Sequence, residues 1–289
     1  MNGRPVGLVG VGLVGAALAE RFLAAGFDVI GFDRDPERCR LLARLGGQAA
    51  TSVGDVGSSC QRVVLSLPDS AAVEAVVAEF AAGRPDDLQI IDTTTGDPHR
   101  TAALGEKLQQ QGIQYLDATI TGSSDQVRSS EAVVLVGGER PFAESCADLF
   151  GSFAREWIYL GPCGSGATMK LVVNLVLGLN RAALAEGLAL ARACGLDLDL
   201  TLRVLQAGAA YSRVMDSKGR KMIEGDFRPQ ARLSQHLKDV RLILSLAQSV
   251  GARTPLSTVH RELLERAEAA GRGADDNSAI IQAFDRDCR

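Results

Sequence analysis

The 289-residue sequence predicts an α/β Rossmann domain, with a doubly wound and mostly parallel sheet, followed by an all-α domain. Three observations carry this reading. A glycine fingerprint follows the first strand at once; apolar strands then alternate with helical segments; and no convincing strand follows the break at Pro162-Cys163-Gly164. The expected organisation is a dinucleotide-binding domain over 1–162 and an all-helical substrate or dimerisation domain over 163–289.

Val6-Gly7-Leu8-Val9 reads as a short buried strand, and Gly10-Val11-Gly12-Leu13-Val14-Gly15 follows it and opens a helix that stops at Gly26. In this strand–turn–helix setting Gly10 allows the tight turn, Gly12 lets backbone approach a pyrophosphate, and Gly15 lets helix pack on strand. The helix start, at Leu13 and Val14, offers free N–H groups to the phosphates. A second strand, Asp28 to Phe32, ends in Asp33, 21 residues after Gly12, where an acid grips the adenosine ribose.

The alternation continues. Asp35-Pro36 starts a helix ending near Gly46-Gly47. Arg62 to Leu67 is a strand closed by Pro68, and Asp69 or Ser70 caps a helix through Phe80. Leu88 to Ile91 is the next strand, with Asp92-Thr93-Thr94-Thr95 at its end. Ligands of such sheets lie beyond the strand C-termini, which puts Leu67, Pro68, Thr94 and Thr95 along the cofactor groove, although hydroxyls there also serve as caps. Tyr115 to Ile120 is a strand running into Thr121-Gly122-Ser123-Ser124; Glu131 to Gly138 and Trp157 to Gly161 close the sheet. Successive N–H groups of Thr121, Gly122 and Ser123 suit an anion-binding nest for a carboxylate, or an ordinary surface turn.

Beyond residue 163 the pattern is helical. Ala167 to Cys194 is one very long helix, with further helices near 198–206, 212–223, 232–250, 255–270 and 275–284. Its run Leu171 to Leu179 is apolar but for Asn174 and Gly178, so it is expected to be buried on all sides. Gly166, Lys170, Asn174 and Gly178 recur every fourth residue and share one stripe. An ammonium and a carboxamide between two residues without side chains mark a candidate reaction site; taken alone, a Lys170 that snorkels to the surface fits equally well. Lys238-Asp239 is a polar pair on a later helix, and His236 reads as a structural hydrogen-bonder rather than a metal ligand.

Composition excludes some classes. A net charge of −4 gives no reason to expect nucleic acid or an anionic membrane, and 4% aromatics argue against base stacking. The six cysteines show no C-x-x-C pair, which fits reduced thiols in a cytoplasm and no zinc site. Met1 to Pro5 is too short and polar for a signal peptide, and no apolar run approaches the ~18 residues of a membrane span.

Together these motifs resemble the 3-hydroxyisobutyrate dehydrogenase family, the β-hydroxyacid dehydrogenases related to 6-phosphogluconate dehydrogenase. The resemblance rests on Val6 to Gly15, Asp117 to Ser123 (usually D-A-P-V-S-G-G), Gly164-x-Gly166-x-x-x-Lys170-x-x-x-Asn174, Lys238-Asp239 and Asp276-Asn277-Ser278-Ala279. It implies a nicotinamide-dependent oxidoreductase acting on a small 3-hydroxy acid or semialdehyde, working as a homodimer or tetramer. It further implies Lys170 as acid/base, Asn174 as substrate holder, Lys238 as a cofactor contact, and Leu67, Pro68 and Thr95 as cofactor-lining positions. Thr121, Gly122 and Ser123 would hold the substrate carboxylate. An ammonium beside the cofactor's positive ring is expected to have a lowered pKa, which suits a base near neutrality. NAD is the expected cofactor because of Asp33; Arg34 keeps NADP as the alternative, since NADP users of the family often carry Arg after an Asn. Thr119, Thr121 and Ser123 depart from the family's Pro, Ser and Gly, which leaves the individual acid open. No Tyr-x-x-x-Lys of short-chain dehydrogenases is present, and Lys170 separates the chain from imine reductases, which replace it. The alternatives are a non-catalytic nucleotide-binding or scaffold protein of the same fold, or an imine or semialdehyde reductase of the wider superfamily.

Overall fold

The computed structural model describes residues 5–80 and 87–284. It divides into two compact units, Met1–Lys170 and Leu171–Arg289. Cys288 and the stretch Met1 to Arg4 lie outside the described residues.

The first unit alternates β1 (Val6–Val9), α1 (Leu13–Ala24), β2 (Val29–Phe32), α2 (Pro36–Leu45), β3 (Gln48–Ala49), α3 (Val53–Ser59), β4 (Arg62–Leu65), α4 (Ser70–Glu79), β5 (Gln89–Asp92), α5 (Pro98–Gln110) and β6 (Gln114–Thr121). Then come α6 (Ser124–Arg128), β7 (Ala132–Gly138), α7 (Arg140–Ser145), α8 (Ala147–Phe153) and β8 (Ala154–Gly161). The eight strands form one sheet in the order β3-β2-β1-β4-β5-β6-β7-β8. All pairs are parallel except β6 with β7. The order reverses direction beside β1, so the β1–α1 turn stands at the topological switch point where ligands of such sheets bind.

Successive strand residues enter opposite cores, as a two-residue period requires. Val64 joins Val6, Leu8, Phe22 and Phe153 on one face, while Val63 and Leu65 join Val56, Val77 and Phe80 on the other. Strand β4 stops at Leu65, two residues short of the sequence expectation, because the Leu67 N–H leaves the ladder to donate to Thr94 Oγ1 (3.1 Å). The two-residue edge strand β3 has too little pattern to be legible in sequence.

Helix α9 (Ser165–Ala193) opens in the first unit and runs on through the second, which continues with α10 (Leu198–Ala207), α11 (Arg220–Glu224), α12 (Leu233–Ser249) and α13 (Pro255–Ala267). Where regular helices were expected, Met215–Gly219 widens to π-helix, Glu268–Arg272 kinks at Gly271 (φ +83°) and Asn277–Phe284 tightens to 3-10 helix. The core of this unit gathers Leu184, Leu188, Leu233, Leu237, Leu264 and Ile280.

Two expectations about α9 need correction. Its apolar run is not buried all round: Val172 is 50% and Val176 52% exposed, on a face opposite the Lys170–Asn174 stripe. At 29 residues it is also long and apolar enough, by length and composition, to cross a membrane, which run length alone hid because polar residues interrupt it. Lys170, Asn174 and Arg181 are nevertheless buried, as residues of a core helix with polar tasks are.

Candidate active site

The three glycines of the first turn differ in kind. Gly10 has φ +92°, and a Cβ there would stand 2.2 Å from Ser66 O. A Cβ on Gly15 would stand 2.0 Å from Gly10 O, so backbone touches backbone at both places. At Gly12 an added Cβ would meet nothing within 4 Å. Gly12 is the N-cap of α1, contributes no side chain, and no acid occupies the first turn, Leu13 and Val14 being half-buried. Open space beside uncapped N–H groups and a positive dipole end suits a phosphate.

Asp33 stands at the end of β2, half-buried, and is tied to this turn: Val11 N–H donates to its Oδ2 (2.7 Å) and Asp35 N–H to its Oδ1 (2.9 Å). Each oxygen keeps a lone pair, so the carboxylate is held in place and still able to accept. The Cys39 thiol braces the same main chain, donating to Asp33 O at 3.3 Å. Arg34 is exposed. At the ends of β4 and β5, Leu67 and Thr95 are half-buried and Pro68 exposed. Thr94, expected beside them, is buried and spends its hydroxyl on Leu67 N–H, so it shapes the loop instead of facing it. Behind it, Tyr115 O–H donates to Asp92 Oδ2 (2.7 Å), a carboxyl that burial pushes upward in pKa.

Thr121 ends β6 and Gly122 follows with φ +148°, a backbone that a side chain would strain. Ser123 turns out to be the N-cap of α6. Its Oγ accepts from Gln126 N–H (3.3 Å) and its own N–H donates to Gln126 Oε1 (2.9 Å), a capping box. A nest of three consecutive free N–H groups is therefore not what this loop presents; Ser123 retains its hydroxyl proton as the group it can donate.

Lys170 and Asn174, one turn apart on α9, are both buried. Asn174 Nδ2 donates to Asp239 Oδ2 (2.9 Å), which fixes the carboxamide orientation because a carboxylate only accepts. Lys238, half-buried, pairs with the other oxygen of Asp239 at 3.1 Å, so the pair is not the plain solvated one that the sequence also allowed. The close approach expected at Gly178 is made by two imidazoles: an added Cβ would lie 2.5 Å from His236 Nε2 and 2.6 Å from His260 Cε1. The two ring centroids lie 5.2 Å apart, with the planes tilted by 49°. Burial and the nearby Arg181 lower the His260 pKa to about 4, so it stays neutral near pH 7. Burial likewise lowers that of Arg181 to about 10, against the pull of Asp276 and Asp239; its Nε and Nη1 find no hydrogen-bond partner among the described residues. Asp276, in the closing motif, is a structural anchor: both its oxygens accept from Lys218 Nζ at 2.9 Å.

Asp117 and Asp239 were not singled out as site residues. An acid inside the apolar run Tyr115-Leu116-Asp117-Ala118 was the available signal for the first, since a buried carboxylate needs partners.

A doubly wound sheet with an open glycine turn and a fixed acid at the end of β2 defines the dinucleotide-binding class of α/β domains. Residues 5–161 match the family model described as the NAD binding domain of 6-phosphogluconate dehydrogenase. Residues 164–284 match that described as NAD-binding of NADP-dependent 3-hydroxyisobutyrate dehydrogenase. The chain belongs to the 3-hydroxyisobutyrate dehydrogenase family and has NAD(P) as its cofactor. Glyoxylate/succinic semialdehyde reductase 2, chloroplastic, of Arabidopsis thaliana is 30% identical over 255 residues, 87% of this chain and 71% of that protein. The cytokine-like nuclear factor N-PAC of Homo sapiens is 28% identical over 255 residues, but the chain spans only 46% of its length. The crystal structure of 3-hydroxyisobutyrate dehydrogenase from Salmonella typhimurium superimposes with a TM-score of 0.90 at 25% identity, covering 97% of this chain and 99% of that one.

Proposed function

We propose that the protein interconverts a small 3-hydroxy acid and the corresponding aldehyde or semialdehyde, with Lys170 as acid/base. The observation that carries this is a buried ammonium one helical turn from an Asn whose carboxamide is locked by Asp239. The dinucleotide would be held by Gly10, Gly12, Leu13, Val14 and Gly15 at the phosphates, by Asp33 and Arg34 at the ribose, and by Leu67, Pro68 and Thr95 along the groove. When bound, its nicotinamide supplies the hydride acceptor or donor. In the oxidation direction Lys170 takes the proton of the substrate hydroxyl; in reduction it returns it. Thr121, Gly122 and the Ser123 hydroxyl hold the substrate carboxylate, while Asn174 and Lys238 take the roles the family resemblance implies for substrate and cofactor. The Arabidopsis relative is named for glyoxylate and succinic semialdehyde, both carboxylates bearing an aldehyde, which supports a substrate of that kind; their reduction gives a 2-hydroxy and a 4-hydroxy acid, so the 3-hydroxy position rests on the family match.

A panel of 3-hydroxy acids and semialdehydes followed by NAD(P)H absorbance tests this reading. Cofactor binding without turnover of any member would favour the competing reading, a nucleotide-binding scaffold, which the N-PAC similarity keeps in view. Exposed apolar Val172, Val176, Leu190, Leu200 and Val204 support a homo-oligomer, to be read by light scattering. The free cysteines Cys39, Cys60, Cys146, Cys163 and Cys194 support a reducing, cytoplasmic setting.

Asp33 sets a preference for NAD(H). Its carboxylate is pinned by Val11 and Asp35, so it cannot swing away from a 2′-phosphate, and like charges repel strongly in a half-dry groove. Asp33→Asn should lower the NAD(H)-to-NADP(H) ratio of kcat/KM by about tenfold, an effect of ~1.4 kcal/mol, with Arg34 then able to pair with the phosphate. Equal or better use of NADP(H) by the unmodified protein would remove Asp33 from this role.

A further inference from the structure

A helix start leaves its first N–H groups unpartnered, and a Ser, Thr, Asp or Asn immediately before it normally supplies the acceptor. Helix α9, which carries Lys170, has no such residue. The position before Ser165 is Gly164, with φ +93° and no side chain. The missing acceptor comes from the sheet. Asp117, in the middle of β6 and 1% exposed, takes Gly164 N–H on Oδ1 (3.0 Å) and Ala167 N–H on Oδ2 (2.7 Å). Thr119, two residues along the same strand, donates its hydroxyl to Gly166 O (3.1 Å).

The fit has no slack. A Cβ on Gly166 would lie 2.6 Å from Leu135 O and 2.8 Å from Asp117 O, and one on Gly137 would lie 2.4 Å from Asp117 Oδ1. The first turn of α9 thus rests backbone on backbone against β6 and β7. Lys170 follows Ala167 by three residues, so it stands on the turn that Asp117 holds.

We infer that Asp117 is a positioning residue for Lys170: its carboxylate is the cap that α9 lacks in its own sequence, and it sets where the ammonium stands. This rests on the reading of Lys170 as acid/base. The clamp is also sensitive to protons. Among the described residues, Asp92 on β5, Tyr115 on β6 and Cys163 before α9 are titratable groups that face Asp117. Burial first, and the Asp92 charge in addition, raise the Asp117 pKa to about 6, against the N–H bonds from Ala167 and Gly164. Once protonated, one oxygen becomes a donor facing an N–H, and one arm of the clamp is lost.

The test is Asp117→Asn beside Lys170→Ala, with kcat, KM and cofactor Kd measured from pH 5 to 9 and folding checked by Tm. Asn keeps one acceptor and no titration. The expected result is a folded Asp117→Asn protein with cofactor Kd within about twofold of the parent, kcat at least about tenfold lower, and no acid limb near pH 6. Unchanged kcat and a retained acid limb, with Lys170→Ala inactive, would overturn the role of Asp117 alone. Full kcat in Lys170→Ala would sink the acid/base reading and this inference together. Should Asp117→Asn fail to fold, amide exchange of Gly164 and Ala167 in the unmodified protein decides: protection should drop between pH 7.5 and 5.5, and equal protection at both would overturn the clamp.

Discussion

Lys170→Ala is expected to lower kcat by roughly 10²–10⁴-fold while cofactor still binds, because a positioned acid/base contributes about that much. The substitution deletes the proposed proton-transfer group and changes none of the residues proposed to hold the nucleotide. The loss should therefore fall on kcat rather than on cofactor affinity. Steady-state kinetics with a turned-over member of the acid panel, and cofactor titration by fluorescence, read the two effects separately. A variant that keeps a tenth or more of the parent kcat excludes Lys170 as acid/base.

Asp276→Ala should destabilise the helical unit by about 3–5 kcal/mol, the range for removing one partner of a buried ion pair. Asp276 is fully buried and accepts from Lys218 Nζ, from the N–H groups of Gln230 (2.9 Å) and Ser278 (3.1 Å), and from the Ser278 hydroxyl (2.8 Å). Its loss leaves the Lys218 ammonium in the interior with the Gln230 side chain for a partner (3.1 Å) and the Arg181 charge nearby. Lys218→Met is expected to cost less, since Asp276 would keep its backbone donors. Urea unfolding of both variants gives the comparison; equal costs would mean that the ion pair, and not the backbone donors to Asp276, carries the stabilisation.

The dinucleotide half was legible because its signals are local. Three glycines, a strand before them and an acid 21 residues after Gly12 belong to one contiguous stretch, and each has one physical reason to be there. The fourfold stripe Gly166-Lys170-Asn174-Gly178 was legible for the same reason. What closes on those residues was not, because it comes from far away in the chain: Asp117 reaches Ala167 across 50 residues, and Asp239 reaches Asn174 across 65. The two histidines against Gly178 are a tertiary coincidence that no spacing encodes. Ser123 is a different case. Ser-x-x-Gln is a capping-box pattern, and the loop reading passed over it. The exposed face of α9 escaped because composition reports how apolar a helix is, not which side finds cover.

The open space at Gly12 has a use in the living cell. Gly10 and Gly15 are architectural, since a methyl at either would strike backbone at 2.0–2.2 Å, whereas Gly12 has an ordinary φ of −71° and room around it. Gly12→Val should therefore give a chain that accumulates normally and keeps its surface, yet closes the space a pyrophosphate would enter, with cofactor Kd weakened by about a hundredfold or more, ~2.7 kcal/mol. Placed at the native locus, that one allele separates two phenotypes. A defect shared with a deletion strain traces to nucleotide-dependent chemistry; a defect seen only in the deletion traces to the presence of the protein itself.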